Sequence, residues 1–165
     1  MAKIFLNKYR IDSARTTWWD YSSSGAYFVT ICTHDRSHAF GEIIGDKMNL
    51  SKVGEFSQKC WNEILKHIPK VELGAFQVMP NHIHGIIIIH DSDFVETMHA
   101  SSLREPDPDF MSSISPKSGS LARIVGSYKS AVSKSAHDID PLFKWQERFW
   151  DRIIRDEYEY DRTQK

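Results

Sequence analysis

The chain has 165 residues, of which 41% are hydrophobic and 26% are charged. This composition is typical of one globular domain and excludes a disordered or membrane protein. The longest aliphatic run, residues 86–89, is far too short to span a membrane, and we expect no secretory signal. Cys32 and Cys60 form no disulfide framework, so we expect a cytoplasmic protein. The net charge of −1 excludes the global positive field of a strongly basic nucleic-acid binder.

The first half of the chain predicts strands around one helix. Residues 25–33 are rich in aromatic and β-branched side chains and follow a Ser-Ser-Ser-Gly turn signal, which predicts a strand. Residues 40–50 predict a hairpin that turns at Gly45-Asp46. Ser51 then fits a helix N-cap, and the apolar residues after it have helical spacing until Pro69.

The second half repeats this mixture of strands and a helix. Two strands are predicted at 71–79 and 82–90, separated by Pro80-Asn81. The segment 92–118 is acidic and rich in Ser, Asp and Pro, which predicts a loop insertion. Helical spacing returns from Leu121, and the tail after Trp145 ends in a polar segment predicted to be helical. Strands and helices without a regular βαβ rhythm favour an α+β fold with an antiparallel sheet.

Two histidines, His82 and His84, lie two residues apart in the second of these strands. Residues at this spacing in a strand point to the same face, so the two imidazoles project side by side. Imidazole is a common metal ligand, and two fixed ligands leave coordination positions open for substrate oxygens. On this pattern alone, a structural or solvated histidine pair is the alternative. His90 is too far along the strand to complete the same site, at roughly 20 Å of extended chain.

One stretch of the chain is basic although the whole is not. Between Lys117 and His137 there are four lysines and arginines and no acidic residue. Arg123, Lys129 and Lys134 belong to this stretch and are candidates for contacts with phosphate groups. The alternative is that they form the solvated face of a helix.

The residues from Pro80 to Ile88, Pro-Asn-His-Ile-His-Gly-Ile-Ile-Ile, resemble the HUH motif (histidine, bulky apolar residue, histidine) of single-tyrosine transposases. Four further blocks resemble the REP-associated tyrosine transposases in the same order. They span 19–36, 40–43, 126–132 and 145–155. The resemblance covers about residues 10–165, with 92–118 as a variable insertion, and it favours metal ligation by the histidines.

The resemblance implies one catalytic and DNA-binding domain over 1–165, with a ferredoxin-like antiparallel sheet, helices packed on it and the histidine strand near its centre. It implies a divalent metal ion, Mg²⁺ or Mn²⁺, held by His82 and His84. The implied activity is nicking and rejoining of single-stranded or hairpin DNA through a 5′-phosphotyrosine intermediate. No membrane partner is implied. Members of the group form dimers in several cases, and the sequence does not decide between a monomer and a homodimer.

The catalytic tyrosine is where this chain departs from the group. In the group it follows the 145–155 block by roughly a dozen residues, so we expect the C-terminal helix to be shortened and the nucleophile to fall just beyond Lys165. Within the chain, Tyr160 is the fallback and Tyr158 the second choice. Gln164 lies four residues after Tyr160 on the same predicted helix face, as in the metal-assisting Tyr-x-x-x-Gln pair of related transposases. An ordinary surface tyrosine is the alternative for Tyr160.

Arg148 and Arg152, near the C-terminal helix, are further candidates for DNA contacts, and Trp18 or Trp19 could stack on unpaired bases. Three other functions remain open at this point. A DNA-binding module could keep the metal site without a nucleophile. A metal-dependent phosphoesterase could use water on small substrates. A purely structural protein would use no metal.

Overall fold

The computed structural model describes residues 4–5, 9–10, 24–90 and 119–164. The strands of this part of the chain are β1 (Ile4–Phe5), β2 (Tyr9–Arg10), β3 (Gly25–Cys32), β4 (Gly41–Ile44), β5 (Lys47–Leu50), β6 (Val71–Met79), β7 (His82–Ile89) and β8 (Trp150–Ile154). Its α-helices are α1 (Lys52–His67), α2 (Leu121–His137) and α3 (Glu157–Gln164). Among these described residues, no helix is both long and apolar enough to cross a membrane.

The central sheet has the strand order β6-β7-β3-β8, and every neighbouring pair is antiparallel. In chain order its elements are β3, α1, β6, β7, α2 and β8, which is the β-α-β-β-α-β arrangement of the ferredoxin-like fold. The pairs β1-β2 and β4-β5 form separate two-stranded sheets. The expected α+β fold is confirmed, with the histidine strand β7 as one of the two central strands.

One face of the central sheet is covered by α1 and α2. Strand residues alternate between faces, and on β3 the residues Tyr27, Val29 and Ile31 are completely buried in the core. On β7 the core residues are Ile83, Ile87 and Ile89. The intervening residues of β7, including both histidines, therefore point to the opposite face.

The two covering helices begin at serine caps. The Ser51 hydroxyl accepts a hydrogen bond from the Gly54 amide at 3.1 Å, as predicted for this N-cap. Ser120 plays the same part at the start of α2, where it accepts from the Arg123 amide at 3.4 Å. The helices are joined in the core by Tyr128, whose hydroxyl lies 2.5 Å from that of Ser57. Burial raises the pKa of Tyr128, so this phenol is unsuited to be a nucleophile.

The histidine strand is held from behind by an aromatic side chain. Trp61 of α1 packs directly on Gly85, and a Cβ at Gly85 would overlap the Trp61 ring. The same indole stacks on Phe76 of β6, with 4.6 Å between the ring centroids. Gly85 lies between Ile83 and Ile87 on the core face, so this contact fixes β7 one residue from His84.

Most predicted elements agree with the structure, and one strand was not predicted. The structure confirms, to within a residue or two of their ends, the strands at 25–33, 71–79 and 82–90, the hairpin at 40–50 and the first long helix. The second long helix begins at Leu121, as predicted. No secondary structure was predicted for residues 150–154. They form β8, a five-residue edge strand that is defined by its pairing with β3. The predicted insertion at 92–118 lies outside the described residues.

Candidate functional site

Side chains from four strands form a row across the sheet face that points away from α1 and α2. His84 of β7 lies opposite Thr30 of β3 and Gln77 of β6, and Thr30 lies opposite Trp150 of β8. Residues directly opposite each other in paired strands share a face. His82 lies in the next row of this surface. We call the surface formed by His82, His84, Thr30, Gln77 and Trp150 the histidine face.

The two imidazoles converge through their outer nitrogens. His82 Nε2 lies 3.0 Å from His84 Nε2, and each Nδ1 has its own oxygen partner. His82 Nδ1 is 2.6 Å from Asn81 Oδ1, and His84 Nδ1 is 2.9 Å from the Thr30 hydroxyl. An amide carbonyl only accepts, so His82 Nδ1 donates and the Nε2 of the neutral ring carries a lone pair. The Thr30 hydroxyl can accept from His84 Nδ1 or donate to it, depending on the tautomer of His84. An Nδ1 partner of this kind is typical of metal-binding histidines.

The environment favours uncharged imidazoles. Burial lowers the pKa of His82. Burial also lowers the pKa of His84, and the neighbouring His82 lowers it further. When both Nδ1 atoms donate, the two Nε2 lone pairs face each other and a cation between them is favoured. When the Thr30 hydroxyl donates to His84 Nδ1 instead, His84 Nε2 donates a hydrogen bond to His82 Nε2. Two ligands about 2.1 Å from an ion and at right angles to each other are about 3.0 Å apart, so the pair fits a divalent ion.

Other ligands of such an ion would come from outside this pair. Within residues 24–90 and 119–164 there is no cluster of three or more His, Cys, Asp or Glu side chains that could hold a metal ion. Two protein nitrogens leave several coordination positions for water or substrate oxygens. An open coordination sphere is the arrangement of catalytic metal sites rather than structural ones.

The predicted tyrosine and glutamine lie on α3, which contacts the central sheet at Arg152 and Gly74. The Tyr160 hydroxyl would touch a Cβ placed on Gly74, at 3.0 Å, beside Ile86. Ile86 is two residues from His84 on the same face, so the hydroxyl lies on the side of the sheet that carries the histidine pair. Tyr160 is half-buried there. The side chains of Tyr158 and Gln164 lie outside the described residues, so their predicted roles stay predictions.

Arg152 connects α3 to the sheet on the same face. It lies opposite Phe28 in the β3–β8 register, with its guanidinium carbon 6.0 Å from the centre of the Phe28 ring. Its Nε is 3.3 Å from the Glu159 carboxylate, and it donates to the Thr163 hydroxyl at 3.1 Å. Phe28 in turn stacks on His84, with 5.3 Å between ring centroids. Arg152 is therefore part of the continuous surface around the histidines.

The other predicted DNA-contacting residues lie on α2 and in the loop before β8. Arg123 and Lys134 are exposed on α2, in the layer behind the sheet. Lys129 was expected to be available to DNA, but its ammonium donates to the Gln146 carbonyl at 2.7 Å and burial lowers its pKa. It holds the loop before β8 in place. Arg148 is exposed in that loop.

The sequence did not identify Thr30, Gln77 and Trp150 of the histidine face, or Asn81 beside it. Thr30 was not identified because its contact with His84 spans 54 positions of the chain and depends on strand register. Trp150 was not, because its strand was not predicted. Asn81 could have been found, since an amide side chain directly before His82 is within reach of the imidazole.

No protein-family model matches the chain. Solved structures that align with the chain include two transposase structures. The structure of a REP-associated tyrosine transposase bound to a REP hairpin aligns with a TM-score of 0.49 and 19% identity, over 90% of this chain and 68% of that chain. A transposase candidate from Deinococcus radiodurans aligns with a TM-score of 0.48 and 12% identity, over 91% of this chain and 92% of that one.

A sequence relative is closer. A Haemophilus influenzae protein, described as uncharacterized, is 33% identical over 152 residues, which cover 90% of this chain and 81% of that protein. The chain therefore belongs to the same protein family as this Haemophilus influenzae protein.

Proposed function

We propose that the protein is a transposase-type enzyme that nicks and rejoins single-stranded or hairpin DNA with the help of a divalent metal ion. The observation that carries the proposal is the histidine pair, whose Nε2 atoms lie 3.0 Å apart while both Nδ1 atoms are engaged by oxygens. The HUH motif and the four ordered blocks that resemble REP-associated tyrosine transposases supply the substrate class and the reaction.

The metal would be held by His82 and His84 and would be Mg²⁺ or Mn²⁺. When bound, such an ion polarises the phosphoryl oxygens and offsets the charge that develops in the transition state. The protein's own contribution is to fix the orientation of both rings. Thr30 and Asn81 do this through the two Nδ1 atoms, and Phe28 supports the His84 ring from the side.

A tyrosine would be the nucleophile. In the nicking step its oxygen attacks the phosphorus, the bond to the 3′ oxygen breaks, and the products are a 5′-phosphotyrosine and a free 3′-OH. The bond energy is thereby kept for rejoining. Tyr160 is supported among the residues of this chain because its hydroxyl lies on the same side of the sheet as the histidine pair. A phosphodiester bound between the imidazoles and the phenol would bring its phosphorus close to the attacking oxygen.

The first test is a covalent adduct. The protein is incubated with a labelled DNA hairpin carrying a single-stranded flank and Mn²⁺, and is then analysed on a denaturing gel beside a native binding assay. We expect an adduct from the unsubstituted protein and from Tyr158→Phe, and none from Tyr160→Phe, because phenylalanine keeps the ring but lacks the attacking oxygen. Peptide mapping of the adduct identifies the residue independently.

Other outcomes assign the protein differently. An adduct that persists in Tyr160→Phe and is lost in Tyr158→Phe moves the nucleophile to Tyr158. DNA binding without an adduct favours the alternative function, a non-catalytic DNA-binding module that retains the metal site. Turnover of small phosphate esters without DNA binding would indicate a phosphoesterase and contradict the proposal.

A further inference from the structure

A groove runs along the edge of the sheet beside the histidine pair. Its volume is about 470 Å³, and we call it the edge groove. It lies between β3, β8 and α3. Its lining includes Phe28, Thr30, Trp150, Arg152, Arg162 and Thr163. Phe28 stacks on the His84 ring and Thr30 contacts its Nδ1. The edge groove is therefore continuous with the histidine pair.

The unusual residue of the edge groove is Trp150. Its side chain is 62% exposed, whereas Trp61 is 1% exposed and Trp145 is partly buried against the core. Trp61 and Trp145 both contact other aromatic rings. In the part of the chain that the structure describes, no ring packs on Trp150. An exposed indole on a flat edge strand offers a π-face on which a planar group can stack.

The charges around this indole favour an anion. Arg152 is paired with Glu159, while Arg162 is exposed and forms no salt bridge within the described residues. Asp151 also lines the groove, and its carboxylate oxygens are buried. An aromatic face next to a guanidinium and a threonine hydroxyl is the combination that single-stranded nucleic acids use, through base stacking and phosphate contacts.

We infer that the edge groove binds an unpaired nucleotide next to the one whose phosphate lies at the histidine pair. Trp150 stacks on the base, and Arg162 contacts the phosphate. Two strand spacings separate His84 from Trp150, roughly 10 Å across the sheet, which suits neighbouring positions on one strand of DNA. This inference rests on the proposed function and adds the residue that selects single-stranded over paired DNA.

The test compares two DNA probes by fluorescence anisotropy without catalysis. One is a hairpin with a single-stranded flank and the other is the same hairpin with a blunt end. We expect Trp150→Ala to bind the flanked hairpin about 5- to 100-fold more weakly, the usual effect of removing one stacking residue. Binding to the blunt hairpin should not change. Trp150→Phe should retain most of the affinity because it keeps an aromatic face.

Leu142→Ala is the matched control, since Leu142 is an 82% exposed apolar residue outside the edge groove. It should bind both probes as the unsubstituted protein does. Equal binding of the flanked hairpin by Trp150→Ala and the unsubstituted protein would overturn the inference. So would a loss that is the same for both probes, or a change from dimer to monomer in Trp150→Ala with unchanged DNA binding. Failure of the unsubstituted protein to bind either probe would instead remove the proposed function.

Discussion

Replacing His84 with alanine is expected to weaken Mn²⁺ binding by more than about 100-fold, because a direct ligand should matter more than an outer hydrogen-bond partner, whose loss typically costs 10- to 100-fold. His82→Ala should have the same effect, since the two Nε2 atoms lie 3.0 Å apart and neither ring alone forms the site. Both substitutions should abolish metal-dependent DNA cleavage while largely preserving hairpin binding. Calorimetric titration with Mn²⁺ measures the first effect and a cleavage assay the second.

Two further variants make this test specific. Thr30→Val removes the oxygen partner of His84 Nδ1 without removing a ligand, so its loss of affinity should be smaller, about 10- to 100-fold. His90→Ala is the matched control, because His90 directly follows the same strand and contacts Glu72 at 3.2 Å. It should bind Mn²⁺ normally. Unchanged Mn²⁺ binding or full cleavage by His84→Ala would contradict the site.

Replacing Gly85 with alanine is expected to destabilise the fold by about 1–3 kcal/mol, the usual cost of overpacking a core. The added methyl group would overlap the Trp61 ring, which is itself fixed by stacking on Phe76. The free energy of unfolding from urea denaturation is the measurement. Because Gly85 follows His84 directly, the same variant should also bind Mn²⁺ more weakly.

Gly126→Ala is the control for this substitution. Gly126 lies within α2, and a Cβ there meets nothing within 4 Å, so alanine should stabilise the helix by about 0.5–1 kcal/mol. Trp61→Phe provides a second check, since the smaller ring leaves space behind β7. The double variant should then be less destabilised than the sum of the single ones. Additive effects, or a stable Gly85→Ala, would show that the contact with Trp61 is not what requires glycine.

Local sequence signals were sufficient for most of the fold. The β-branched and aromatic residues at 25–33 predict a strand, and the Ser51 cap with the apolar stripe after it predicts α1. Both elements could be predicted because these signals act within a few residues. Strand β8 carries no such signal. Its five residues mix a tryptophan, two charges and two isoleucines, and their pairing with β3 is a contact between distant parts of the chain.

The same distinction separates the predicted and unpredicted parts of the site. The convergence of His82 and His84 follows from strand alternation alone, so the sequence was enough to predict it. Thr30 and Trp150 join them only through strand register, which the sequence does not show. Lys129 illustrates the opposite case. Helical spacing places it outside the apolar stripe, but only the packed loop reveals that its ammonium is held by the Gln146 carbonyl.

The attachment of α3 has a consequence for the motions of the protein. This helix has eight residues, too few to be stable alone, and it is held by the half-buried Tyr160 and by the contacts of Arg152 with Glu159 and Thr163. Its local opening free energy is therefore below that of the central strands. Backbone amides of α3 should exchange with solvent earlier than those of β3 and β7, and a ligand that bridges α3 and the sheet would slow that exchange.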